Sequence, residues 1–290
     1  MDSLLAGSVA GIVADVVTHP IGTIKTRLQV QGASAGSSSL AQYGSIGDAA
    51  SRILRAEGVG ALYRGVGVVV ATAAPAQGLF FVGNDAARSA LAATSCPSGA
   101  ANFLAGFFAQ LCGSLLWVPM DTIKERMQVE GQMAAGSREA LGSSSAAAVA
   151  AVFRREGPRG FYPAYWIHQW TWAPFNGLYF AIYEAAKEAA DARGLPAWPC
   201  GVVAGVVAGA ATNPADLVKT RLQVARADPK TFQYAGAVDC AAQIVRREGP
   251  AALFDGAVAR CATVTPRLTI CVLVKDALMP RAAALLGRRD

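Results

Sequence analysis

Charged residues are scarce in this sequence. They make up 16% of its 290 residues, whereas a soluble domain usually has about 25%. A predominantly apolar run of about 18 residues or more without charge is a candidate membrane helix, and four such stretches occur, at residues 65–84, 89–120, 160–183 and 194–215. They are rich in glycine and alanine, and small residues favour close helix contacts in lipid. The composition therefore argues against a large soluble core and favours a protein that crosses a membrane several times.

The sequence also lacks the usual signatures of metal centres and of catalysis. Its six cysteines are dispersed, and none lies in a Cys-x-x-Cys motif or in a Cys/His cluster with zinc spacing. It contains neither a recognisable Ser/His/Asp set nor a glycine-rich phosphate loop. We therefore predict no metal site, no cofactor and no enzymatic activity. The basic residues are dispersed, which argues against nucleic acid as a partner, and no cleavable presequence is predicted, because Met1 is followed almost at once by an apolar stretch.

One short motif occurs three times. Residues 20–27 read Pro-Ile-Gly-Thr-Ile-Lys-Thr-Arg, residues 119–126 read Pro-Met-Asp-Thr-Ile-Lys-Glu-Arg, and residues 214–221 read Pro-Ala-Asp-Leu-Val-Lys-Thr-Arg. Each copy is followed two residues later by a glutamine: Gln29, Gln128 and Gln223. A motif that recurs about every 100 residues indicates three copies of one folded unit. We assign the repeats to residues 1–94, 95–193 and 194–290, within one transmembrane domain.

Each repeat has the same internal order. A long apolar segment runs into the motif, a short amphipathic helix follows and ends at a glycine, and a second long apolar segment completes the unit. The predicted fold is therefore an all-α membrane protein with six transmembrane helices in three pseudo-symmetric repeats. Proline kinks a long helix, so three motif helices can converge at one end of the bundle. Charges at membrane depth need partners, and we expect the lysine of one repeat to pair with the aspartate of another.

These features resemble the mitochondrial carrier family over essentially the whole chain. The resemblance rests on the triple Pro-x-Asp-x-x-Lys-x-Arg motif, with Gly22 in place of the first aspartate. It also rests on a Glu-Gly that precedes an aromatic-basic-Gly segment (residues 57–65) and on Tyr-Glu-Ala-Ala-Lys at residues 183–187. It implies a solute transporter that alternates between cytosol-open and matrix-open states. It further implies a multi-pass monomer in the mitochondrial inner membrane, with chloroplast and peroxisomal membranes as alternatives. The short helices would lie on the matrix side, where clustered arginines suit an anionic, cardiolipin-type lipid.

The resemblance also implies two gates. By the family's pairing, Asp121 meets Lys219 and Asp216 meets Lys25, whereas Lys124 lacks its carboxylate because residue 22 is glycine. The missing aspartate at residue 22 either weakens the matrix gate or is a neutral sequence change, in a network of ion pairs that the glutamines still support. The matrix gate would comprise Lys25, Asp121, Lys124, Asp216, Lys219, Gln29, Gln128 and Gln223. The cytosolic gate would comprise Asp85, Arg88, Tyr183, Glu184, Lys187 and Asp276, with Asp85–Lys187 and Asp276–Arg88 as its two ion pairs. Each gate would then have two ion pairs. Because the two gates would be similar in strength, neither the cytosol-open nor the matrix-open state would dominate.

In this family the substrate contacts lie three residues before a proline of each even-numbered helix, here Pro75, Pro174 and Pro266. The contact positions carry neutral hydroxyls, and an acid and two arginines occur nearby on the predicted helices. An acid on one wall and an arginine on another suit a zwitterion. The predicted substrate-binding residues are Asp15, Thr72, Gln77, Thr171, Trp172, Asn176, Arg260, Thr263 and Arg267.

Several substrates fit this pattern. Residues 15–20 and 74–81 are similar to S-adenosylmethionine carriers, and Trp172 suits a flat ring or a cation. Residues 259–260, Tyr165 and residues 174–175 look somewhat like iron carriers, so iron is an alternative. Amino acids and nucleotides or cofactors are further alternatives, as is a scaffold without transport activity. Asp15 also has a structural interpretation, in which it pairs with an arginine of the sixth helix within the protein.

Overall fold

The computed structural model describes residues 2–34, 40–92, 94, 98–133, 141, 144–194, 198–229 and 231–285. Over these residues the chain forms ten α-helices and no strand. The helices are α1 (Asp2–Val30), α2 (Ile46–Glu57), α3 (Val66–Ala92), α4 (Ser98–Val129), α5 (Ser145–Glu156), α6 (Tyr165–Asp191), α7 (Trp198–Ala211), α8 (Asn213–Ala225), α9 (Ala237–Arg247) and α10 (Ala257–Leu285).

The helices follow the predicted order of each repeat. The long, short, long pattern is α1, α2 and α3 in the first repeat and α4, α5 and α6 in the second. In the third repeat the first long segment is the bent pair α7 and α8, followed by α9 and α10. The fold prediction is thus confirmed: an all-α membrane protein of three repeats and six transmembrane segments. Its repeat boundaries stay predictions, and the one between residues 94 and 95 adjoins residues outside those described.

Length and hydropathy alone would identify fewer spans. Within the described part of the chain, two helical segments, residues 59–92 and 103–132, meet these criteria, and the bent pair of Pro199–Ala211 and Asn213–Ala225 adds a third. The remaining long helices carry polar residues that line an internal cavity, among them Asp15 on α1 and Arg267 on α10. Helix α6 is rich in tryptophan and tyrosine, which are amphipathic rather than strongly apolar. A transmembrane helix that lines a polar cavity is therefore less apolar than one that faces only lipid.

The three motif prolines differ in their effect on the helix. Helices α1 and α4 run through Pro20 and Pro119 as continuous α-helices. The third repeat instead breaks at Thr212, and α7 and α8 meet there at 61°. The Arg260 guanidinium donates hydrogen bonds to the Thr212 carbonyl (2.7 Å) and to its hydroxyl (2.8 Å). This buried fork satisfies polar groups that would otherwise make the break unfavourable in an apolar environment.

The short helices pack one face against the motif helices. Ser45 and Ser144 cap α2 and α5, and their hydroxyls accept hydrogen bonds from the amides of Asp48 (3.1 Å) and Ala147 (3.2 Å). Helices α2 and α5 end directly before a glycine of positive φ, Gly58 and Gly157, and α9 ends two residues before such a glycine, Gly249. In α2, Ile53 is buried in the same apolar cluster as Ile24 and Leu28 of α1. This packing holds the motif end of each long helix in place.

Candidate functional site

A cavity of about 480 Å³ lies between the long helices. Every repeat contributes to its walls, so no single repeat could form it. At one end it is bounded by the charged residues of the three motifs and by residues packed against them. We call this set of charged residues the floor cluster, and it consists of Lys25, Asp121, Lys124, Glu125, Asp216, Lys219 and Arg260.

Two ion pairs of the floor cluster connect different repeats, as the family's pairing implies. Lys25 Nζ lies 2.6 Å from Asp216 Oδ2, which joins α1 to α8. Lys219 Nζ lies 3.0 Å from Asp121 Oδ2, which joins α8 to α4. Both aspartates and Lys219 are buried, and a charge buried without a partner is far more costly than a paired one. The two pairs therefore favour the conformation in which the three motif helices are held together.

Lys124 also has a carboxylate partner. Its Nζ lies 2.7 Å from Asp121 Oδ1, three residues earlier on the same helix. Among the described residues Lys124 has no carboxylate partner from another repeat, as the family's pairing implies with glycine at residue 22, but an acid of its own helix takes that place. The Asp121 carboxylate binds two lysines, because its Oδ1 accepts a hydrogen bond from Lys124 and its Oδ2 accepts one from Lys219. The pair within α4 does not connect α4 to α1, so no lysine–carboxylate bridge joins those two helices among the described residues.

The arginine of each motif links its own repeat to the next one. Its Nε donates to the backbone carbonyl of the next repeat's motif glutamine, at 2.8 to 3.0 Å, and its Nη1 and Nη2 donate to the glutamate of its own Glu-Gly segment. The arginine–glutamine contacts are Arg27 to Gln128, Arg126 to Gln223 and Arg221 to Gln29, and the glutamates are Glu57, Glu156 and Glu248. These contacts close a ring with threefold pseudo-symmetry.

The glutamine side chains follow the same cyclic order. Thr26 Oγ1 donates to Gln128 Oε1 and Thr220 Oγ1 donates to Gln29 Oε1, each at 2.9 Å. Gln29 also donates to Asp216 Oδ2 at 3.0 Å and so braces one of the ion pairs. Gln29 thus contacts an ion pair in the way expected of the motif glutamines, and the role of the three glutamines in gating stays a prediction.

Sequence analysis missed Glu125, which occupies in the second motif the position of Thr26 and Thr220. Its side chain is 2% exposed, and Oε1 lies 3.5 Å from Lys219 Nζ. With the Gln223 amide oriented to donate, its nitrogen lies 2.5 and 3.3 Å from the two Glu125 oxygens. A difference between the three motif copies at this position was the signal that could have identified it.

Each motif aspartate also has a polar neighbour on the second long helix of its own repeat. Arg260 Nη1 lies 3.6 Å from Asp216 Oδ2, and His168 Nδ1 lies 3.8 Å from Asp121 Oδ2. Both neighbours lie six residues before the proline of their helix, and the same position in the first repeat is Val69. The first repeat therefore lacks both the aspartate and its polar neighbour. Arg260, predicted to contact substrate, is 1% exposed and belongs to the floor cluster.

Asp15 and Arg267 form an ion pair on the cavity wall. Arg267 donates from Nε to Asp15 Oδ1 and from Nη2 to Asp15 Oδ2 (3.4 Å). The structural interpretation of Asp15 is therefore realised in this conformation. The Arg267 side chain is nevertheless 38% exposed and that of Asp15 20% exposed, and both residues line the cavity. A solute that enters the cavity can therefore reach the pair.

The other predicted contact residues divide into two groups. Gln77, Trp172, Asn176 and Thr263 line the cavity, whereas Thr72 and Thr171 are not among the lining residues. The hydroxyls of all three threonines donate to the carbonyl four residues earlier in their helices, at 2.7 to 2.8 Å. Their oxygens keep lone pairs to accept a further hydrogen bond. Aromatic lining residues that the sequence did not single out are Phe80, Trp117 and Phe180.

One of the two predicted pairs of the cytosolic gate, Asp85–Lys187, is not formed among the described residues. Asp85 lies on α3 and Lys187 on α6. Arg88 donates to Asn84 Oδ1 at 2.7 Å, and Tyr183 stacks on Tyr179 with ring centroids 6.1 Å apart. Glu184 is exposed. The side chain of Asp276 lies outside the described residues, so its pairing with Arg88 stays a prediction.

Within the described ranges, no group of three or more His, Cys, Asp or Glu side chains is arranged to hold a metal ion. His168 is buried, and neither of its ring nitrogens has a hydrogen-bond partner among the residues that the structure describes.

Comparison with known proteins places this geometry in a family. A family model described as mitochondrial carrier protein matches residues 1–95, 97–193 and 195–281. Mitochondrial substrate carrier family protein E of Dictyostelium discoideum is 33% identical over 278 residues, which cover 91% of this chain and 90% of that protein. Mitochondrial substrate carrier family protein X of the same organism is 31% identical and covers 94% and 89%. The human electrogenic aspartate/glutamate antiporter SLC25A12, mitochondrial, is 32% identical over 94% of this chain but only 40% of its own length.

Proposed function

The chain belongs to the mitochondrial carrier family, and from that premise we propose that its solute is a zwitterion with an α-amino acid group. Membership makes it a multi-pass protein of the mitochondrial inner membrane that transports a small solute and is not an enzyme. The solute class rests on one observation, the accessible Asp15–Arg267 pair on the cavity wall. An α-amino acid group carries the same two charges as this pair.

The proposed binding step is an exchange of partners. The solute carboxylate accepts two hydrogen bonds from the Arg267 guanidinium, a geometry that arginine favours, while its ammonium group binds Asp15. Each charge remains paired throughout, so the desolvation cost of binding is smaller than it would be for a lone anion or cation. A solute with only one of the two charges would leave either Asp15 or Arg267 unpaired in a site of low dielectric.

The rest of the solute would contact the aromatic and amide side chains of the cavity. Trp172, Gln77 and Asn176 line it together with Asp15 and Arg267. An indole face binds a flat ring or a cationic centre with about 0.5–2 kcal/mol. S-adenosylmethionine combines an α-amino acid group, a sulfonium and an adenine ring, and it is the specific solute that we propose.

The charge of the floor cluster favours a second candidate, an acidic amino acid. The cluster contains four cationic side chains and three carboxylates, so an excess positive charge faces the cavity. A side-chain carboxylate in addition to the α-amino acid group would reduce that excess. Human relatives that are 32% identical are named electrogenic aspartate/glutamate antiporters, and this chain covers 40% of their length.

Transport would proceed by alternating access, with the floor cluster as the matrix gate. In the conformation described here its ion pairs are made, and among the described residues no ion pair joins Asp85 to Lys187. Opening toward the matrix would break the floor pairs, and Asp85–Lys187 and Asp276–Arg88 would then form the opposite gate. We further propose that the protein acts as a monomer and that the arginines of α2, α5 and α9 contact a cardiolipin-type lipid.

Counter-exchange by the purified protein in liposomes tests the solute class. The liposomes are loaded with S-adenosylmethionine, aspartate, glutamate, a basic amino acid, a nucleotide or Fe(II), and uptake of the labelled solute is measured. We expect exchange of S-adenosylmethionine, of acidic amino acids, or of both. Exchange only of nucleotides or iron would contradict the proposal, and no exchange of any solute would favour the scaffold alternative. Asp15→Asn should abolish most of the exchange, whereas Asp191→Asn, at the exposed end of α6, serves as its control.

A further inference from the structure

The three motifs differ at the residue that follows the lysine. Threonine occupies this position in the first and third copies, at Thr26 and Thr220, and glutamate occupies it in the second, at Glu125. All three side chains are buried and each contacts a motif glutamine of the next repeat. The pseudo-symmetric position therefore accommodates a neutral hydroxyl, and the carboxylate of Glu125 is an addition that the packing does not require.

That additional carboxylate lies among the motif lysines. Glu125 Oε1 is 3.5 Å from Lys219 Nζ. Lys219 also binds Asp121, and Asp121 binds Lys124, so Glu125 belongs to the same connected group of charges and attracts its lysines at longer range. Long-range attraction of this kind is strong in a buried cluster, because little water screens it.

The first repeat lacks the carboxylate that the other two provide. Gly22 lines the cavity at the position of Asp121 and Asp216, and the neighbouring position on α3 is Val69. Space is available at Gly22, since the nearest atom to a Cβ added at this residue would be Thr263 Cγ2 at 4.0 Å. Without Glu125 the floor cluster would hold two carboxylates against three lysines and Arg260. The missing charge is therefore not excluded by packing, and its loss would leave a buried excess of cations.

We propose that Glu125 replaces the missing carboxylate of the first repeat and acts as a relocated positioning residue of the matrix gate. The inference rests on the proposed gating role of the floor cluster. The relocation changes which helices the gate joins. Lys219 on α8 binds two acids of α4. Helix α1 is joined to α4 by the Thr26–Gln128 hydrogen bond and by the hydrogen bond from Arg27 to the Gln128 carbonyl, and Gln132, three residues after α4, donates to the Arg27 carbonyl. In a symmetric gate, ion pairs would be divided between the α4–α8 contact and the α1–α4 contact. Here the ion pairs between α4 and another helix are concentrated at the α4–α8 contact.

A rescue experiment tests the replacement. Glu125→Thr installs the residue found in the other two motifs, and Gly22→Asp restores the acid at its symmetric position. We expect Glu125→Thr to lower the unfolding temperature of the purified protein by about 3 °C or more, and Gly22→Asp in the same chain to restore most of that loss. Gly11→Asp provides the matched control. It adds the same charge to α1 in the same cavity, about 16 Å from residue 22, where a Cβ has nothing within 4 Å.

The exchange rate provides a second readout, measured with labelled S-adenosylmethionine and with labelled aspartate. Gly22→Asp alone adds a carboxylate to an intact gate and should slow exchange about tenfold. Glu125→Thr in the same chain should bring the rate back to within about twofold of the unsubstituted protein. The proposal would be overturned if Gly22→Asp and Glu125→Thr had additive effects on the exchange rate. It would also be overturned if Gly11→Asp rescued Glu125→Thr as well as Gly22→Asp does.

The unfolding measurements need no solute, so they are independent of the proposed solute class. If neither labelled compound is exchanged while Gly22→Asp still rescues Glu125→Thr, the solute class is wrong and the relocated carboxylate stands. If Glu125→Thr yields no folded protein, Glu125→Gln keeps the size of the side chain and the contact with Gln223 while removing the charge. An unfolding temperature of Glu125→Gln equal to that of the unsubstituted protein would contradict the electrostatic role of Glu125.

Discussion

The ammonium group of Lys219 lies 3.0 Å from the carboxylate of Asp121, 98 residues earlier in the chain and one repeat away. The same ammonium is 3.5 Å from Glu125 and 4.0 Å from Asp216. Lys25, its counterpart in the first repeat, has Asp216 as its carboxylate partner, and that aspartate also has Arg260 within 3.6 Å. Lys219 is therefore the central cation of the floor cluster.

Removal of these two lysine charges should have unequal effects. Lys219→Gln leaves buried Glu125 without its lysine and leaves Asp121 with Lys124 alone. Loss of one member of a buried pair costs about 3–5 kcal/mol. Lys25→Gln leaves Asp216 with Arg260 and should cost less. Thermal unfolding of the two purified variants measures the difference. Equal unfolding temperatures for the two variants would show that Lys219 has no central role.

The Asp15–Arg267 pair should matter more for solute binding than for stability. The Arg267 side chain is 38% exposed, and exposed ion pairs typically contribute at most about 1 kcal/mol. Arg267→Lys keeps the charge but loses the paired donors of the guanidinium. We expect the KM for exchange to rise at least about tenfold, with an unfolding temperature within a few degrees of the unsubstituted protein. An unchanged KM for every solute exchanged would remove Arg267 from the binding site.

Arg260 should behave in the opposite way. It is 1% exposed and holds the helix break at Thr212 with two hydrogen bonds. Arg260→Lys cannot make the same fork and should lower the unfolding temperature clearly. Arg226→Lys is the control, because Arg226 also bonds a carboxylate and a backbone carbonyl but its side chain is 47% exposed. If Arg260→Lys raised the KM and left the unfolding temperature unchanged, the sequence-based assignment of Arg260 to substrate binding would be the better one.

Cys240 on the short helix α9 should be unreactive in the folded protein. Burial raises the pKa of its thiol to about 12, so very little thiolate, the reactive form, is present at pH 8. The thiol is also fully buried. Alkylation with a maleimide at pH 8, followed by peptide mass spectrometry, should label Cys240 only after denaturation. Rapid labelling without denaturation would show that α9 does not stay packed on α8.

The repeats, the helix order and the inter-repeat pairs were predictable because each depends on a pattern that is copied three times. Three equivalent helices in one bundle bring equivalent residues together, so a lysine of one repeat was expected to meet an aspartate of another. The pairs Lys25–Asp216 and Lys219–Asp121 were specified by the family's pairing. The break at Thr212 was not distinguishable from the uninterrupted helices at Pro20 and Pro119. That difference depends on Arg260, which approaches Thr212 from another helix.

The sequence by itself determined the threefold architecture, the positions of the buried charges and the absence of an acid at Gly22. Only the tertiary structure decided how those charges are shared: Asp121 between two lysines, Glu125 with Lys219, and Asp15 with Arg267. The physical reason is that a buried charge is stabilised by whichever opposite charges and donors lie within a few ångströms. Those distances are set by the packing of several helices together, and no spacing along one helix specifies them.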